Sequence, residues 1–148
     1  MPQRDFPDHI AHKPVYVVPY FDHDYSEECD RDAQFITVGW PQWGDDEPSA
    51  KIVRHSGQRW SRQSEELPLT RLVDLAILTA MVFGQGHNLT KIEPDAFESQ
   101  PEPSDVAFGS KRDRIFLSEE LKSDELLKRR FRKPFEILNE IAASGSFE

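Results

Sequence analysis

From Leu69 to Phe83 the chain is apolar except at Thr70, Arg71, Asp74 and Thr79. At helical spacing Leu69, Leu72, Val73, Ala76, Ile77, Ala80, Met81 and Phe83 cover one broad face, while Leu75, Leu78 and Val82 take much of the other. A helix apolar on both flanks needs cover on more than one side, because each large side chain left in water forgoes about 1.5–3 kcal/mol of burial. The run therefore predicts a central buried helix. Thr70 suits its N-cap, Pro68 keeps Leu67 out of it, and Gly84 with Gly86 marks its end. The run is shorter than the roughly 20 apolar residues of a membrane span, and Arg71 and Asp74, three apart in its first turns, can pair. No membrane partner is expected.

What that helix packs on is sought upstream. Val15–Val18, Gln34–Gly39 and Ala50–Arg54 are short, β-branched segments that read as strands, and the turn chemistry of WPQWGDDEPS between the last two predicts an antiparallel hairpin with Trp40 and Trp43 at its tip. Those tryptophans are expected to pack across the hairpin or on the core helix. Downstream, His87–Ile92 and Ile115–Leu117 read as short strands joined by the proline-rich, acidic connection Glu93–Ser110. Ser118 is an N-cap candidate for a helix to about Arg132, and Pro134 suits the first turn of a second helical segment running to Ala143. Leu127 and Phe131 in the first, then Phe135, Leu138 and Ile141 in the second, form one apolar stripe to set against the Leu69–Phe83 helix. The fold class that follows is α+β, a small antiparallel sheet packed against a central buried helix and a C-terminal helical pair. The chain divides into a polar arm over 1–13, a single α+β domain over 14–143 and a tail over 144–148.

Charge bounds the function. Acidic residues outnumber basic ones 27 to 18, net −9, which argues against general affinity for nucleic acid. The single cysteine forms no internal disulfide, and Cys29 sits in the acid-rich run Asp22–Asp32, where neighbouring carboxylates oppose a thiolate. That run lacks the central Gly and ligand spacing of a calcium loop. His9 and His12 form H-x-x-H with no third ligand at diagnostic spacing, so no metal and no cofactor are expected. The N-terminus lacks the apolar segment of a signal peptide, and a reducing cytoplasm is the expected setting.

The densest useful chemistry precedes the core helix. Arg54, Arg59 and Arg62, with Ser56, Ser61 and Gln63 around the Gly57 turn, bring many donors within one loop, and arginine forks match phosphate and carboxylate oxygens. A phosphate-bearing ligand is the expected partner of this loop. The competing reading is that these arginines only neutralise acidic neighbours. An enzyme is the less favoured alternative: a metal-independent nuclease with His55 as acid or base and Glu65 or Glu66 as counterpart. Signatures of phosphate-binding loops, dinucleotide folds, nucleophile elbows and zinc proteases are all missing.

The block RHSGQRWSRQSEELPLTRLVDLAIL, with WPQW and SAKIVRH before it, resembles a family of small bacterial proteins known only as a domain of unknown function. The likeness runs from about His12 through Leu78. It implies a bacterial or phage-related origin and carries over no activity, cofactor or site residue. Beyond it, Lys128, Arg129, Arg130, Arg132 and Lys133 offer a basic face for an acidic partner, or a solvated helix face paired with Asp124 and Glu125. Leu75, Leu78 and Val82 are expected to meet either the C-terminal stripe or a second molecule, making a homo-oligomer or protein complex. The resulting expectation is a non-catalytic binding or regulatory module.

Overall fold

The computed structural model describes residues 4–21, 32–44, 47–62, 65–98 and 100–147, and these belong to two compact units, Met1–Leu75 and Ala76–Glu148. Of the acidic run only Asp32 falls within the described residues, so the readings of Cys29 and the run itself lie outside them.

The first unit is built on a four-stranded antiparallel meander in the order β1 (Lys13–Pro19), β2 (Ala33–Trp40), β3 (Ser49–Arg54) and β4 (Glu65–Pro68). The first three are the strands that the β-branched segments predicted. The fourth was not read from the sequence, because Glu-Glu-Leu-Pro has little strand propensity. It forms because β3 offers a partner edge, and the proline sits at the end of an edge strand where no ladder donor is needed.

Register sorts the side chains into two faces. Tyr16, Val38, Ala50 and Leu67 stand in one row, and Val18, Ile36, Ile52 and Glu65 in the next. On the opposite face Val17, Thr37, Lys51 and Glu66 align, flanked by Gly39, Ser49 and Pro68 on one side and Phe35 with Val53 on the other. This second face holds the buried residues of the sheet, including Phe35 and Val53. The stretch before β1 is tied down from Arg4 onward: its backbone N–H donates to Gln34 Oε1 at 2.9 Å, and the Phe6 ring meets Phe35 edge-on at 5.0 Å.

Helix α1 covers Leu69–Gln85, as its apolar periodicity predicted, but the expected burial is corrected: none of its residues is buried, and Val73 and Leu75 are more than half exposed. Periodicity states which flanks require cover and is silent on what supplies it. A single turn of 3-10 helix, Gly86–Asn88, prolongs α1, and Leu69–Asn88 together has the length and composition to cross a membrane. Trp40 and Trp43 are likewise 40% and 52% exposed, so neither is held in a core.

The second unit has a two-residue ladder, β5 (Lys91–Ile92) with β6 (Ser104–Asp105), and the helices α2 (Lys111–Ser123) and α3 (Glu125–Ala143). The strand expected at Ile115–Leu117 is helix. Its true start is Ser110, whose hydroxyl accepts from the Asp113 N–H at 3.1 Å, while Ser118 is buried mid-helix. Gly86 explains Ser118: its φ is +57°, and a Cβ there would stand 2.5 Å from Ser118 Oγ. The break falls at Asp124, whose carboxylate accepts from the Leu127 N–H at 2.8 Å, and α3 runs through Pro134. Within this unit Phe83 stacks on Phe131 at 4.6 Å, so the predicted C-terminal stripe meets the end of α1 there.

Candidate functional site, a basic cleft over the polar face of the sheet

A cleft of about 580 Å³ lies in the first unit, between the His9–His12 segment, Lys51 and His55, and the loop Gln58–Arg62. Strand parity decides which residues reach it. Along β3 Ser49, Lys51 and Val53 face the covered side, and His55 just beyond the strand is buried with them. Ala50, Ile52 and Arg54 face away.

The loop is closed by backbone bonds from Ser61 N–H to Arg54 O at 2.8 Å and from Ser56 N–H to Arg59 O at 2.9 Å. Ser56 Oγ also accepts from the Arg59 N–H at 3.3 Å, which commits this serine to the turn. Gly57 adopts φ +93°, a conformation few other residues accept, and its N–H donates to His55 Nδ1 at 2.9 Å. Trp60 pins the return strand, meeting His55 edge-on at 4.9 Å and stacking on Phe35 at 6.2 Å. With both ends held, Gln58, Arg59 and Arg62 are left exposed on the cleft wall. Neither Arg59 nor Arg62 forms an ion pair among the described residues.

His55 is fixed in its chemistry as well as its place. Burial, and then the positive charge of Arg4, hold its pKa below the usual 6.5. The ring is neutral at pH 7. Because Nδ1 accepts from Gly57, the proton resides on Nε2, which makes His55 a donor.

Beneath the cleft lies a buried polar network. His12 Nδ1 donates to Glu66 Oε1 at 2.7 Å, Ser49 Oγ donates to the same oxygen at 2.7 Å, and Thr37 Oγ1 lies 3.0 Å from His12 Nε2. Thr37 Oγ1 also donates to the Lys51 carbonyl at 3.1 Å, which ties the network to β3. His12 and Glu66 are thus paired with both side chains fully buried.

Of the residues singled out from the sequence, His55, Arg59, Ser61 and Arg62 converge on the cleft. Arg54 does not. It points to the other face, its guanidinium between Asp32 Oδ2 at 2.9 Å and Glu65 Oε1 at 3.0 Å, which also removes Glu65 from any chemistry with His55. Glu66 is committed to His12 and Ser49, so the acid–base pair sought around His55 is not assembled. Ser56 serves the turn, and Gln63 lies outside the described residues. On α3 Lys128 and Lys133 pair with Glu125 at 2.6 Å and Glu136 at 3.3 Å, while Arg129 and Arg132 are exposed. The sequence reading overlooked His12 and Lys51 as cleft residues. The alternation Lys51, Val53, His55 was a signal for Lys51, whereas His12 reaches the cleft only through the fold of the N-terminal stretch.

Fold and cleft together define a small α+β protein with a basic cleft on an antiparallel meander. The model of a family of unknown function (DUF6530) matches residues 4–93, and the chain belongs to that family. The match takes in the whole meander, the cleft and α1, and ends before α2. No curated protein and no solved structure shows significant similarity to the chain.

Proposed function

We propose that the chain is a non-catalytic binding or regulatory module whose cleft takes a phosphate-bearing anion. The observation that carries this reading is the pair Arg59 and Arg62, exposed without ion-pair partners among the described residues, on the wall of one cleft with Lys51 and the His55 Nε2–H. In a chain of net −9, arginines that meet no carboxylate among the described residues are suited to bind one from outside, or a phosphate. Gln58 and Ser61 add neutral donors to the same wall. A nuclease centred on His55 has less support, since Nδ1 is engaged by Gly57 and neither Glu65 nor Glu66 is available as its counterpart. An acidic protein partner on α3 ranks behind the cleft, because Lys128 and Lys133 already spend charge within the helix.

A bacterial or phage-related cytoplasmic setting is part of the proposal. The resemblance to small bacterial proteins supports it, as do Arg71 and Asp74, which burden a membrane span at Leu69–Asn88. Titration with inorganic phosphate, followed by amide and side-chain NMR, tests the reading. Shifts are expected at His55, Gln58, Arg59 and Arg62, and Arg59→Ala is expected to weaken binding by about 10- to 100-fold, the scale of a charge-assisted hydrogen bond. Silence across residues 55–62, or a response confined to Lys128–Lys133, overturns it.

A further inference from the structure

We propose that the open face of the β1–β4 sheet is a homodimer surface, on which a second copy of the chain stacks its own sheet face to face. Sheets ordinarily bury their apolar face, and this one exposes it. Tyr16 is 70% exposed and Val18 48%, with Ile36, Val38 and Ile52 each more than a third exposed on the two central strands. Together with Leu72 they line a hollow of about 660 Å³.

Three features select a second copy as the occupant. First, the central residues are in-register, β-branched aliphatics, the composition of the inner face of a two-sheet sandwich, where sheets pack about 10 Å apart. A two-fold axis beside the Ile36–Ile52 pair sets like against like, as a self-complementary interface requires. Second, no charge stands in the middle of the face. At the β4 side its rim charges are paired within one chain, Arg54 lying between Asp32 and Glu65, and Lys13 stands at the far corner opposite Trp40, where its exposed ammonium can stay in water. Third, the area suits a modest dimer. Four strands at about 4.8 Å spacing and about six residues at 3.3 Å rise give a footprint of roughly 400 Å² per copy before side-chain relief is counted. A standard interface buries about 800 Å² per partner, so this face by itself supports association at the weak, concentration-dependent end. The net charge of −9 adds long-range repulsion between copies, and salt screens it.

Sedimentation equilibrium of the full chain, from micromolar to millimolar concentration at low and high salt, is the test. The expected result is a monomer–dimer equilibrium that tightens with salt, and that Ile52→Asp weakens at least tenfold, as truncation of a central contact does. Ile36→Thr and Ile52→Thr keep β-branching; each is expected to retain the wild-type circular dichroism and melting curve while losing dimer. Three results overturn the proposal. One is a wild type that stays monomeric at every concentration, whether its own helices or an unlike partner takes the face. Another is a dimer as tight in the folded threonine variants as in the wild type. The third is a dimer that salt dissolves.

Discussion

The two faces of the meander invert the usual arrangement. The covered face carries Thr37, Ser49, Lys51 and Glu66, with His12 over them, among a few aromatic and aliphatic side chains, whereas the open face is mostly apolar, with its charges at the rim. Strand alternation produced both from the same four segments. The difference teaches that burial here follows the site: the enclosed polar groups gather in a hydrogen-bonded network, while the apolar row on the other face stands open. The buried His12–Glu66 pair is only partly satisfied: Glu66 Oε1 accepts from both His12 and Ser49, while Glu66 Oε2 is buried with no hydrogen-bond partner among the described residues.

The sharpest way to break the comparison is to remove one member of that pair. Glu66→Ala is expected to destabilise the protein in urea unfolding by about 1–3 kcal/mol for each buried group it leaves without an acceptor, the His12 Nδ1–H and the Ser49 hydroxyl. Next in size is a matched pair on one strand. Val53→Ala, on the covered face, is expected to cost about 1.5–3 kcal/mol from lost burial alone. Ile52→Ala, one residue away on the open face, should stay within about 0.5 kcal/mol in dilute monomer. Equal losses would show that the open face is already covered.

The third concerns His55. Its folded pKa is lowered, so the unfolded chain takes up the proton first as pH falls. The stability it contributes is complete above pH 6.5 and is lost as pH drops from there toward the folded pKa. His55→Asn should flatten that part of the pH profile, and an unchanged slope would mean that the ring titrates alike in both states. The smallest effect belongs to Arg54→Ala. Its partly exposed ion pairs make a loss of about 0–1 kcal/mol the expectation, with phosphate binding unchanged because the residue faces away from the cleft. A binding loss matching that of Arg59→Ala would refute the parity argument.

Much of this was legible beforehand, and particular residues show why the rest was not. The strands Val15–Val18, Gln34–Gly39 and Ala50–Arg54 declared themselves by β-branching, and α1 by its period. Pro134 was read as a helix start, yet it lies inside α3, because Asp124 ten residues earlier supplies the better cap. Arg54 and Arg59 looked equivalent as donors in one loop. Only the extension of β3 through Arg54 and the turn at Gly57 separate them onto different faces.

The sequence by itself determined the α+β class, the apolar helix from Leu69 and the loop in which cationic donors gather, since each depends on neighbours within a few turns or a few strand residues. Tertiary structure decided that His12 lies over Glu66, 54 positions away, and that Glu66 is a structural partner rather than a counterpart to His55. It also decided that the aliphatic side of the sheet is the open one. Local propensity places a side chain up or down on a strand. Which side is then enclosed depends on where distant segments settle, and hydrogen-bond partners are chosen by that settling.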